Sequence, residues 1–195
     1  MGVMGKLGIS QTTPENILLG AGTYHKNFTW DTETQAWKGD IIGATSGGGS
    51  VEIKGEIVDI ELDGAVVKVK GLAVMQGGTV TAEVNFAELS TDIMKMGMIA
   101  DSVESDAPGY NMIQTKANIE EGDYVQNFAF VGKTANDAKD IIIIIENALC
   151  TSGLKIEPKG KEAAVIKLTL EGYAENEGNL DRVPARIYYP TAPTV

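Results

Sequence analysis

The sequence predicts an all-β domain of two packed sheets with one flanking helix. Three observations predict it. Runs rich in Val, Ile, Thr and aromatic residues alternate apolar with polar positions, the period of a half-buried strand. Glycine turn signals, DG at 63–64 and GG at 77–78, punctuate these runs. And DIIIIIEN, 140–147, sets five isoleucines in succession. Every residue of that strand needs cover, as in the centre of a layered fold.

NILLGAGTYHKNFTW, 16–30, reads as the first strand, and SVEIKGEIVDIEL, 50–62, as the second. In the second run the charges fall on even positions at Glu52, Lys54 and Glu56, then on odd ones at Asp59, Glu61 and Asp63. A switch of parity at Ile57–Val58 predicts a bulge or a change of sheet. After the DG turn, AVVKVKGLAVM, 65–75, runs back with Lys68 and Lys70 on one face. The GG pair is the next turn. TVTAEVNFAEL then puts Val80, Ala82, Val84 and Phe86 inside and Thr79, Thr81 and Glu83 outside.

The helix is expected over roughly 86–99. Asn85 and Glu88 have the spacing of a capping box, and Leu89, Ile93 and Met96 recur at helical intervals. ADSVESDAPGYN, 100–111, is a loop, followed by strands in YNMIQTKANI and DYVQNFAFVGK. The isoleucine strand comes next. One set of its side chains fills the space between the sheets. The other falls to the helix (Leu89, Ile93, Met96) or to a neighbouring subunit, and Asp140 and Glu146 guard its ends. After TSG, the short LKIEPKG precedes the last regular strand, AAVIKLTLEGYAE, with Ile166, Leu168 and Leu170 on one face.

Two parts do not read as core. Residues 29–50 form a long loop holding Trp30 and Trp37. The C-terminal 175–195 carries Pro184, Pro190 and Pro193, which argue against a central strand. Ile187, Tyr188 and Tyr189 suggest an arm that docks, on its own domain or on another copy.

The chain has 195 residues, 43% apolar, with a net charge of −11. This fits one domain with extended arms and argues against a positive groove for nucleic acid. Cys150 is the single cysteine and reads as a core residue, which favours a reducing compartment over a disulfide-stapled secreted domain. No secretory signal is visible, and the isoleucine run is too short to span a bilayer.

The residues do not assemble an enzyme. His25 is the only histidine and lies in a strand pattern without a nucleophile motif. One His and one Cys cannot supply a usual zinc site. DIELDG at 59–64 begins like a calcium loop, but its twelfth position is Lys70. GATSGGGS lacks the lysine of a phosphate loop and reads as a flexible loop. No cofactor is expected.

Three segments, ENILLGAGTYHKNFTW, the run from GDIIGATSGGGS through AELSTDIM, and ENALCTSGLKIEPKGKEAAVIKLTLEGYAE, together resemble the major tail (tail tube) proteins of long non-contractile-tailed bacteriophages and related prophages. The likeness covers about Glu15 to Glu175 in order and carries no catalytic signature. It implies a β-sandwich or partly closed barrel of the tail-tube type, forming one domain over 1–195 with an N-terminal arm 1–14, a long loop 29–50 and a C-terminal arm 175–195. It implies hexameric rings stacked into a tube, which holds the tape-measure protein, joins tail-tip and terminator proteins and passes DNA through its lumen. The location implied is the virion tail, with assembly in the host cytoplasm and no membrane partner. By position, Trp30, Trp37, Ile41, Ile42, Ile187, Tyr188 and Tyr189 become candidate contacts between rings. Glu52, Glu56, Asp59, Glu61 and Asp63 become candidate acids facing the lumen, where they would repel phosphate. Lys54, Lys68 and Lys70 dilute that picture. Two alternatives stand beside it. One is a monomeric binding module using Trp30 and Trp37 as platforms for sugar rings. The other is the tube of a contractile tail, a bacteriocin or a secretion system.

Overall fold

The computed structural model describes Thr13 and residues 17–134, 140–158, 160 and 163–190. These residues form a two-sheet sandwich with one α-helix. Twelve strands run in chain order: β1 (Leu18–Asp31), β2 (Ala36–Ile41), β3 (Thr45–Asp59), β4 (Ala73–Phe86), β5 (Ala100–Val103), β6 (Met112–Thr115), β7 (Phe128–Thr134), β8 (Asp140–Ile145), β9 (Ala148–Cys150), β10 (Ile156–Glu157), β11 (Val165–Gly172) and β12 (Ala185–Tyr188), with helix α1 (Thr91–Met98) between β4 and β5. The first sheet has the order β12-β8-β7-β1-β2 and the second β10-β11-β4-β3, with β9 also on β11. All pairings are antiparallel. Neither sheet closes into a barrel.

The main core lies between the sheets. Tyr24, Phe128, Phe130 and Ile145 come from the first, and Val80, Val84, Phe86, Ile166, Leu168 and Leu170 from the second. The alternation expected for β4 and β11 is present: Val80, Ala82, Val84, Phe86, Ile166, Leu168 and Leu170 are all buried. Cys150 is buried in the same core. Ile93 is buried and Met96 packs beside it, so the helix adds to this core.

The second face of β8 is covered by neither expected element. Ile142 and Ile144 join Phe28 and Ala129 in a smaller cluster, with Trp37 and Val131 packed against it. Trp37 stacks on Phe28, centroids 5.3 Å apart and planes 9° apart. Its ring also meets Tyr188 edge-on at 4.7 Å, although β2 and β12 are opposite edges of their sheet. The β1–β2 ladder breaks between Lys26 and Thr29, and Asn27 has φ 55°. The far half of this hairpin therefore bends across the outer face of the sheet. Leu89 stays exposed.

Several boundaries differ from expectation. Residues 29–50 are not a loop but the end of β1, a turn at 32–35, β2 and the start of β3. The helix is shorter than expected, and its cap is Ser90, whose hydroxyl accepts from the Ile93 N–H at 3.2 Å. Asn85 instead donates to the Gly48 carbonyl, and the Glu88 carboxylate accepts from the Ala44 N–H at 3.1 Å. The expected strand at 65–75 becomes an irregular tip, regular only from Ala73. The GG pair lies inside β4, opposite Gly55 and Glu56. The parity switch does mark an irregularity: the ladder slips between Glu56 and Ile57. The loop at 100–111 contains β5, which pairs with β6.

GATSGGGS is no flexible loop either. A β-carbon on Gly49 would collide with the Tyr24 hydroxyl and the Glu83 carbonyl. Only glycine lets β3 pass this close to the core.

The C-terminal segment returns to the body. β12 pairs with β8 along Ile142–Ile145, as an edge strand bounded by prolines. Glu146 clasps it: Arg182 Nη2 donates to both carboxylate oxygens at 2.8 Å, and Arg186 Nε lies 2.9 Å from Oε1. Thr13 is the one described residue of the arm 1–14, and residues 191–195 also lie outside the description.

Ile143→Asp and Ile144→Asp place a charge in the main and the smaller cluster respectively. Each should cost about 3 kcal/mol or more, read as a large fall in melting temperature by circular dichroism. A harmless substitution at either position would show that face to be open. Gly49→Ala should cost about 1–3 kcal/mol by overpacking, while Gly47→Ala, with open space around it, carries only the strain of its φ of 78°.

Candidate assembly surfaces

Three surfaces gather the residues singled out from sequence. The first is the β3–β4 hairpin. Its inner half belongs to the sandwich, where Val51 packs on the core. Its outer half, beyond the Gly55–Gly78 pair, runs past the body as a two-stranded ribbon with an irregular tip at 60–72. Exposed apolar side chains concentrate there: Ile57 at 67%, Val66 at 98%, Val67 at 77% and Met75 at 68%. A bare two-stranded ribbon is at best marginal in water, and clustered exposed apolar groups mark an interaction surface. Sequence reasoning placed these residues in a pair of ordinary strands. The signal that they project was the missing third partner, which no local pattern encodes.

The candidate lumen acids do not form one face. Glu52 and Glu56 are exposed on the outer face of the second sheet, with Lys54 between them in sequence. That face also carries Glu83, paired with Lys167 at 2.7 Å. Asp59 lies at the end of β3 and is ion-paired to Lys68. Glu61 and Asp63 sit in the tip. The lysines thus neutralise part of the acidic surface.

The third surface is aromatic. Trp30, Trp37 and Tyr188 come together on the outer face of the first sheet. Trp30 is 47% exposed, and its ring meets Trp37 edge-on at 5.3 Å. Trp37 itself is engaged in covering Phe28, Ile142 and Ile144. Ile41 and Ile187 are exposed on β2 and β12, at opposite edges of the sheet, and Tyr189 is exposed just after β12. Ile42 is buried in the main core, so it is removed from the set of surface contacts.

The turn joining β1 to β2 is held by Asp31. Its Oδ1 accepts from the N–H groups of Glu33 at 2.8 Å and Thr34 at 3.3 Å, and its Oδ2 is ion-paired to Lys38. These contacts, Lys38 first, lower its pKa from 3.8 to about 2. His25 places Nε2 3.0 Å from Thr23 Oγ1 and packs on Phe28. Partial burial lowers its pKa.

Two clefts flank the 121–126 segment. The larger, about 500 Å³, lies between α1 and the 116–126 segment. Its charges are largely matched: Lys26 binds Asp92 at 2.6 Å, and Lys116 lies within 3.0–3.4 Å of Asp101, Glu120 and Asp123. The smaller, about 190 Å³, is lined by Tyr124, Tyr173, Glu121 and Glu175. Among the described residues no helix is long and apolar enough to cross a membrane.

Compared with models of known protein families and with curated proteins, the chain matches none.

The Asp31 carboxyl should titrate near 2 by NMR, and Lys38→Met should move that titration upward. Its folded pKa lies below its unfolded value. Its contribution is therefore complete above about pH 4 and is lost as pH falls through 2. A titration near 4 in the intact protein would show that the turn is not held this way.

Proposed function

We propose that the protein is a structural subunit that self-assembles into stacked rings, forming a tail tube of the bacteriophage kind through which DNA passes. The observation that carries this reading is the β3–β4 ribbon, whose apolar outer half has no cover among the described residues. A second copy of the chain would supply that cover in a repeating assembly. The sequence likeness to major tail proteins supports the same reading. So do the edges at β2 and β3, unpaired among the described residues, since unpaired edges are templates for pairing between subunits.

In that assembly the ribbon takes the role first assigned to residues 29–50. Removing 29–50 would strip away β2 and Trp37 and expose Ile142 and Ile144, so it would test folding rather than stacking. The tip at 60–72 is the segment that can be altered without touching the core. The sugar-platform alternative is weakened by Trp37, whose ring is committed to the smaller cluster and leaves Trp30 as the exposed platform.

Negative-stain microscopy of the purified protein is expected to show rings or tubes. Val67→Asp combined with Met75→Asp should abolish them while changing the folding stability of the single subunit by no more than about 0.5 kcal/mol. Tubes formed normally by this variant would remove the ribbon from the assembly. A sharp monomer in light scattering at high concentration, for the unaltered chain, would remove the assembly itself.

A further inference from the structure

We propose that the small pocket between Tyr124 and Tyr173 binds an organic cation, an alkylammonium or guanidinium group. The two rings stand 5.6 Å apart at 75° and form a corner. Their faces carry the negative side of the ring quadrupole. Glu121 and Glu175 line the same pocket, together with Gln126 and Asn147. No lysine or arginine lines it. Its volume of about 190 Å³ is enough for one small cation or the end of a long basic side chain.

The pocket is built rather than incidental. Asn147 adopts a φ of 44°, and its Nδ2 donates to the Tyr173 carbonyl at 3.2 Å and to Glu175 Oε1 at 2.9 Å. This holds Glu175 beside the tyrosine and leaves its second oxygen as an acceptor. The Glu121 carboxylate has no hydrogen bond or ion pair among the described residues. The larger cleft differs: Asp92 there is paired with Lys26, and Asp101, Glu120 and Asp123 with Lys116. Here two glutamates line a pocket with an aromatic corner, and no lysine or arginine lines it. Aromatic faces with adjacent carboxylates are the chemistry that selects ammonium and guanidinium groups. All of the walls come from one chain, so the site stands or falls independently of any assembly.

Isothermal titration calorimetry of the full chain with methylguanidinium and with n-butylammonium tests the site, with n-butanol as the uncharged counterpart. Saturable binding of the cations and none of the alcohol is expected. Glu121→Gln with Glu175→Gln should weaken binding about tenfold or more, and Tyr173→Leu about two- to fivefold. The glutamine pair is at the surface and should melt like the unaltered protein. Cation binding that also dissolves oligomers would identify the natural occupant as a Lys or Arg side chain of another copy. Binding that leaves them intact would identify a free amine. Heats that persist in the glutamine pair, or that sodium chloride reproduces at equal ionic strength, would overturn the proposal, because they would reflect only screening of the net negative charge.

Discussion

The structure depends on covering β8 from every side. Five consecutive isoleucines in an extended chain present apolar groups to both faces, and burying each is worth about 1.5–3 kcal/mol. Ile143 and Ile145 face the space between the sheets, where the second sheet meets them. Ile142 and Ile144 face outward. On that side the cover is the far half of the β1–β2 hairpin, bent over the sheet so that Trp37 lies on Phe28. The edge is closed by β12, whose main-chain pairing prevents β8 from offering an open ladder to other chains. Glu146, at the end of the run, holds Arg182 and Arg186 and so keeps β12 in place.

That arrangement divides the surface into two kinds. On the body, the buried apolar side chains enter one of the two clusters, and the aromatic group of Trp30 and Tyr188 leans on Trp37, itself part of the smaller cluster. The β3–β4 ribbon is different, because its outer half has a strand's composition but only two strands. Ile57, Val67 and Met75 would be ordinary core residues if a third layer were present. The proposed assembly and the ribbon's shape are thus linked by one physical fact: β-branched side chains on a pleated surface are stable when something lies against them. The Tyr124–Tyr173 pocket is the opposite case, a polar corner whose unmet requirement is charge rather than apolar contact.

The alternations in β4 and β11 were legible because period-two burial is a local property of the chain. The slip near Ile57 was legible for the same reason. The helix was misplaced by its cap: Asn85 and Glu88 have the right spacing, but their side chains serve Gly48 and Ala44, partners about 40 residues away. Ser90, the actual cap, has no such competing partner. By composition the glycines of 29–50 are turn residues, so in sequence the segment reads as a loop. In the fold Gly49 is a strand residue kept small by the Tyr24 hydroxyl. Of the candidate contacts, Ile42 was lost to the core, and Trp37 proved to be cover for the isoleucines.

By itself the sequence determined the class of fold: mostly strands, one helix, a central strand buried on both faces, and no cysteine or histidine constellation from which to build chemistry. These follow from composition and from periodicities read over a few residues. Only the tertiary structure decided what lies on the second face of β8, which hairpin leaves the body, and which tyrosines and glutamates share a pocket. Each is a contact between residues far apart in the chain. A side chain's own preference says that it must be covered, while the partner that covers it is set by how the whole chain closes.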